Sequence, residues 1–292
     1  MTPQQAIGLA IQLSMALIVF CVALRSPGKD IVHLLRDPGL LFRSLLAMNV
    51  LMPLVAVAIA LAFDLNPAVE VALVAMALAP IPPIVPGKEI KAGGSQSYVL
   101  RLLAVAALVS IVFVPAIAAL LGHAFGRPAH VAVGTVAKIV ATSVLLPLIL
   151  GSLLRRLAPV FAERIAKPLS TAATVLLVAA FVPVLIKVWP AMAALAGHFS
   201  LVAIVAFVLI GLAIGHLLGG PDPDNRTVLA LSTSTRHPAV AMAVLHGDPE
   251  ADAAMAAVLL VLLVGAVVSV PYVKWRSRAH AVEHPANREA GR

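Results

Sequence analysis

Two stretches decide how this chain is read. Pro80-Ile81-Pro82-Pro83-Ile84-Val85-Pro86-Gly87 places four prolines within seven residues of an otherwise apolar run, and Ser232-Thr233-Ser234-Thr235-Arg236-His237-Pro238 sets a polar heptapeptide inside another. Each proline lacks a backbone donor and its ring clashes with the preceding turn, so the first stretch cannot be continuous α-helix. The second interrupts its apolar run with hydroxyls, a guanidinium and an imidazole.

Around these two breaks the chain is too apolar for water. Its 292 residues are 61% hydrophobic and 12% charged, with mean hydropathy +1.04. Soluble domains are roughly 45–50% apolar and about 25% charged. Nine apolar stretches of spanning length are predicted, at about 4–24, 39–63, 68–86, 95–122, 131–154, 168–189, 198–219, 226–246 and 251–275. None has the two-residue alternation of a barrel strand. The expected fold is therefore an all-α integral membrane protein of nine transmembrane helices. It is expected to form one transmembrane unit over 1–275, followed by a disordered cytoplasmic tail at 276–292. No basic residue precedes Arg25, so the first run is a span and not a secretory signal.

Charge gives the orientation. With the N-terminus outside, seventeen Lys and Arg fall on the inner side, from Arg25, Lys29, Arg36 and Arg43 to Arg288 and Arg292. Arg127 and Lys187 fall outside, and Lys138 and Arg236 lie within spans. That asymmetry follows the positive-inside rule and places the protein in the cell (plasma or inner) membrane. It also explains the net charge of +8 without a nucleic-acid partner. The single cysteine, Cys21, can form no internal disulfide.

The breaks fall in the third of spans 1–4 and the third of spans 6–9. Span 5, a single crossing, reverses the direction of the second set, which implies an inverted repeat with two crossing discontinuous helices. Backbone freed at membrane depth must be buried in protein or line a wet cavity. Interrupted spans in corresponding halves point to a transporter's binding site. All thirteen Asp and Glu are read at loops or span ends, whereas Arg236 sits at the midplane. An intramembrane arginine costs roughly 2.5 kcal/mol or more and calls for a partner. Here a substrate anion is expected to supply it. The bland alternative is a guanidinium that caps broken-helix carbonyls.

Other residues complete the candidate site. His237 is a substrate contact and candidate proton relay, Asn49 and Pro86 are further substrate contacts, and Ser234 and Thr235 offer hydroxyls to substrate. Ser232 and Thr233 offer them to a cation, while Asn49 and Met48 line the cavity. Pro80, Pro82, Pro83, Gly87 and Pro238 form the structural breaks. Lys138 is read as snorkelling.

With Asn49-Val-Leu-Met-Pro53, the Pro80 turn and the polar break, the chain resembles the bile acid:sodium symporter family from about 8 to 275. The resemblance implies a core of about 39–122 and 198–275 moving against a panel of about 4–24 and 131–189, and alternating-access transport of an organic anion, commonly with sodium. Yet Val85-Pro86 stands where the family has Ser-Asn, Met48 replaces a Gln, and Ser232 replaces the sodium-binding glutamate. Arg236 and His237 replace a Gln and an Asn, and Val99 and Leu103 a Ser and a Thr. The predicted cation contacts are therefore limited to Ser232, Thr233, Met48 and Val85. Sodium coupling is in doubt on this reading, and uniport, exchange or proton linkage is preferred. The competing readings are a sodium- or proton-coupled symporter built on backbone and hydroxyl ligands, and a transporter-fold sensor that binds without translocating. No enzyme is expected, since no orienting acid accompanies Ser232 and His237. No metal site is expected either, because the histidines are scattered. The predicted partners are a small anion and the lipid bilayer, with no resident cofactor.

Overall fold

The computed structural model describes residues 2–26, 37–126, 131–197, 199–246 and 250–283. Among them every regular element is helical. Lys29, Arg36, Arg127, Arg288 and Arg292 of the charge count lie outside the described residues, as does the end of the expected tail, 284–292.

Proline starts helices here as often as it breaks them, because its fixed φ and missing N–H suit the first turn. Helix α1 (Pro3–Leu24) opens on a Thr2–Gln5 capping box. Then come α2 (Pro38–Leu45) and α3 (Met52–Ala62), joined by a π-helical turn at Leu46–Leu51. Next are α4 (Pro67–Leu78), capped by Asn66, and α5 (Val85–Lys91). Helix α6 (Gln96–Ala124) follows, then α7 (Val133–Val140) and α8 (Leu146–Leu157), joined by a second π-helical turn at Ala141–Leu145. The rest are α9 (Pro159–Ala194), α10 (Ser200–Leu218), α11 (Pro223–Ser234), α12 (Pro238–Val244), α13 (Ala251–Val268) and α14 (Val270–Glu283).

Seven helical stretches among the described residues are long and apolar enough to cross a membrane. The third and eighth predicted spans are not single helices. Each is a twelve-residue helix followed, across a gap, by a seven-residue one: α4 and α5, then α11 and α12. Exposed Leu61, Val112, Ile186 and Leu217 show that the outer surface is apolar, as a lipid-facing surface requires.

Two expected boundaries are corrected. The sixth stretch is helical from Pro159 rather than 168, because its charged first turns are tied to α8: Arg155 donates to the Pro159 carbonyl and pairs with Glu163 at 3.4 Å. The expected tail is helical through Glu283. There Arg276 donates to Thr227 at 2.8 Å and His280 bonds Asp224 at 3.1 Å, so α14 is fastened to the start of α11.

Helix α1 packs on α8 and α9. Elsewhere α4 packs on α3 and α13, α10 on α11 and α13, α12 on α4, and α11 on α5. Helices α10 and α11 approach each other closely. Gly211, Gly215 and Gly219 recur every fourth residue along α10, and a Cβ on Gly215 would stand 2.4 Å from the Leu229 carbonyl oxygen. Small residues at that spacing let helix backbones touch. This seats α11, and with it the second break.

Candidate functional site at two meeting helix breaks

The breaks meet. The backbone N–H of His237 donates to the Pro80 carbonyl at 2.8 Å, joining the gap after α11 to the gap after α4. Between α11 and α12 the chain is extended, with Thr235 at φ −124°, ψ 131°. Extended backbone sends successive side chains to opposite faces, so Thr235 and His237 face one way and Arg236 the other.

Arg236 points into protein. It is 1% exposed, and its guanidinium donates to the carbonyls of Met48 (2.9 Å) and Ala79 (3.3 Å). Prolines leave both carbonyls without helical partners. In the π-helical turn the Met52 N–H bonds Ala47, so the next donor in register, to Met48, would come from Pro53, which has none. In an uninterrupted α4 the Ala79 carbonyl would take its bond from residue 83, also a proline. A buried unpaired carbonyl costs about 1–3 kcal/mol. The expected open positive charge is thus a brace between two proline-broken backbones. It lines neither of the cavities described next, because the two-residue period of the break turns it away from them.

Those cavities lie on the side that Thr235 and His237 face. One, of about 610 Å³, is lined by Thr235, Val85 and Gly87 together with Arg25, Lys88 and Lys91. The other, of about 710 Å³, is lined by His237 and Pro238 together with Lys138, Lys187, Thr142, Ser143 and Asp252. Phe181 of α9 lines both. Lys138, read from the sequence as snorkelling, is exposed and borders this cavity. His237 is 1% exposed, with Nε2 at 3.4 Å from Ser143 Oγ and Nδ1 without a partner among the described residues.

The remaining candidates are dispersed. Ser234 is buried and donates to the Leu231 carbonyl at 3.2 Å. Thr233 is buried with no partner for Oγ1 among the described residues. Met48 and Pro86 are buried and Asn49 is half-buried, and none of the three lines either cavity. Pro80, Pro82 and Pro83 are buried in the first gap.

One residue was missed. Glu89, expected at a span end, is 1% exposed and accepts the Ser232 hydroxyl proton at 2.5 Å. The apolar run stops at Gly87, but Pro86 begins a new helix there, and α5 carries Glu89 back against α11. A proline in a first turn followed by polar residues was the available signal. The acid thus reaches Ser232 from the opposite break, at the position where the resemblance implies a glutamate.

No curated protein matches the chain. Residues 12–195, from α1 to the end of α9 with the first break included, match the sequence profile of the sodium bile acid symporter family. That match covers more than half of the protein, which therefore belongs to the sodium bile acid symporter family.

Proposed function

We propose that this membrane transporter moves a small organic anion by alternating access through the meeting point of its two breaks. The observation that carries the reading is the pair of separate cavities. They touch residues of the same extended segment, Thr235 and His237, and share one aromatic side chain, Phe181. Basic side chains support an anionic cargo: Arg25, Lys88 and Lys91 line one cavity without an acid, and Lys138 and Lys187 line the other beside a single Asp252. A chamber lined by one sign of charge concentrates ions of the other.

On this reading each broken segment crosses the membrane, giving nine crossings, and the two sets are inverted repeats. The matching helix halves of twelve and seven residues favour this. The N-terminus lies outside, so the cavity at the Arg25 end of α1 opens toward the cytoplasm. Helices α1, α7, α8 and α9 form the panel against which the core moves. Thr235 and His237 meet the substrate while Arg236 holds the crossing open behind them.

Counterflow in proteoliposomes tests the proposal. A panel of organic anions is offered with sodium replaced by potassium and with the pH gradient varied. Saturable exchange of at least one anion is expected. Saturable binding with no exchange would identify a sensor instead, and neither binding nor exchange across the panel would refute anion transport.

A further inference from the structure

Helix α14 has one face tied to the protein and the other open. On the tied face Arg276 donates to Thr227, His280 bonds Asp224, and Tyr272 Oη lies 2.8 Å from Nδ1 of His216 on α10. Trp275 borders that contact, its ring centre 5.5 Å from that of His216 and 5.6 Å from the Arg276 guanidinium. The open face carries Val270, Lys274, Arg278 and Val282, one turn apart, with Pro271 and the exposed Trp275 beside them. Exposed valine and tryptophan do not suit bulk water, and exposed lysine and arginine do not suit the bilayer core. Together they suit the headgroup layer between the two. The depth agrees. Helix α13 supplies eighteen residues, close to a full crossing, before α14 begins, and α14 then runs beside the first turns of α11, whose N-cap is Asp222.

Charge at this end is one-sided. Lys274 and Arg278 have no acidic partner among the described residues. The neighbouring turn adds two more cations: Arg226 donates to the Gly220 carbonyl at 2.6 Å, and Arg43 Nη1 is 3.9 Å from where a Cβ on Gly220 would stand. The acids nearby are engaged. Asp224 holds His280, Asp37 holds Arg101 at 3.1 Å, and Asp222 accepts from the Asp224 N–H.

We propose that Lys274 and Arg278, with Trp275 beside them, bind the headgroup of an anionic phospholipid in the leaflet at that end of the molecule. The phosphate meets the two cations, and the upper acyl carbons lie against Trp275 and Val282. A headgroup held there pins α14 and, through Arg276 and His280, steadies the start of the broken helix α11. The site does not rest on the transport reading.

Trp275 can report on its own site, because Trp189, on α9, is the other tryptophan of the chain. Full-length Trp189→Phe protein is reconstituted in phosphatidylcholine vesicles doped with brominated phosphatidylglycerol or with brominated phosphatidylcholine, and quenching of Trp275 is recorded. Phosphatidylglycerol is expected to be preferred roughly tenfold or more, as two basic groups at a charged lipid surface allow. In Lys274→Gln/Arg278→Gln the two lipids should quench alike, and added salt should weaken the preference in the parent. The exchange Lys274→Arg/Arg278→Lys should keep it, and so should Arg164→Gln/Lys167→Gln, which removes two exposed cations from α9. Equal quenching by both lipids in the parent overturns the proposal, as does a preference that survives Lys274→Gln/Arg278→Gln. An equal loss in the α9 control would show attraction by net charge alone and overturn it too. So would displacement of the lipid by inorganic phosphate at matched ionic strength, which would identify a soluble anion as the occupant. Failure of every anion to exchange in liposomes would refute the transport reading and leave this result standing.

Discussion

Arg236 shows how one side chain can be fixed by prolines far from it in sequence. Pro53 and Pro83 strip donors from the carbonyls of Met48 and Ala79, and the guanidinium replaces both. Arg236→Ala should therefore lower stability by roughly 2–6 kcal/mol, the cost of two unsatisfied buried carbonyls. Arg236→Lys should lose less, because one ammonium can still reach one of them. Thermal unfolding in detergent measures this. An unchanged melting temperature with abolished transport would instead mark Arg236 as a substrate ligand. The sequence marked Arg236 as a buried charge inside a broken run, but not the direction in which it points. Residue identity gives the cost of burying a charge, whereas direction depends on the extended backbone at Thr235, which becomes visible only once the break is built.

At the level of elements, the π-helical turns carry a consequence of their own. Each precedes a proline by the same logic: Leu46–Leu51 before Pro53, Ala141–Leu145 before Pro147. They flank the second break, one beneath Arg236 and the other beside His237 through Ser143. Restoring a donor with Pro53→Ala should reduce the penalty of Arg236→Ala by about 1 kcal/mol, read as the coupling term of a double-mutant cycle. The glycines of α10 are a second element-scale dependence. Gly215→Ala would press a methyl group against the backbone of Leu229 and Ala230, which cannot rotate aside. A loss of about 1–3 kcal/mol is expected, with α11 displaced and transport impaired; Gly197→Ala, in open space, should do neither. Hydropathy and proline content made both breaks legible. They could not announce α5, whose Lys88, Glu89 and Lys91 look like a loop until Pro86 is recognised as a helix start, nor the helical course of α14, which depends on Asp224 and Thr227 as distant partners.

Across the whole molecule, the cavities make separate demands on charge and on closure. Replacing Lys138 and Lys187 together by Glu should weaken uptake of an anion presented from their side by an order of magnitude or more while leaving the fold intact, as both side chains are exposed. Uptake kinetics from each face of oriented vesicles would show it, and an unchanged affinity would remove these lysines from the path. Phe181 borders both chambers, so Phe181→Ala should open a leak that carries the anion in either direction without saturating. Phe181→Trp should close the path and slow exchange. Tracer efflux from loaded liposomes distinguishes the two.

Thr235 and His237 are two steps apart on an extended chain, a reach of about 7 Å. On the proposed route, a cargo group leaving the imidazole would already lie within reach of the hydroxyl that lines the other cavity. In the proposed cycle it is handed over and never has to swim a corridor. On that proposal the panel would need only to roll the Phe181 ring from one flank of the group to the other.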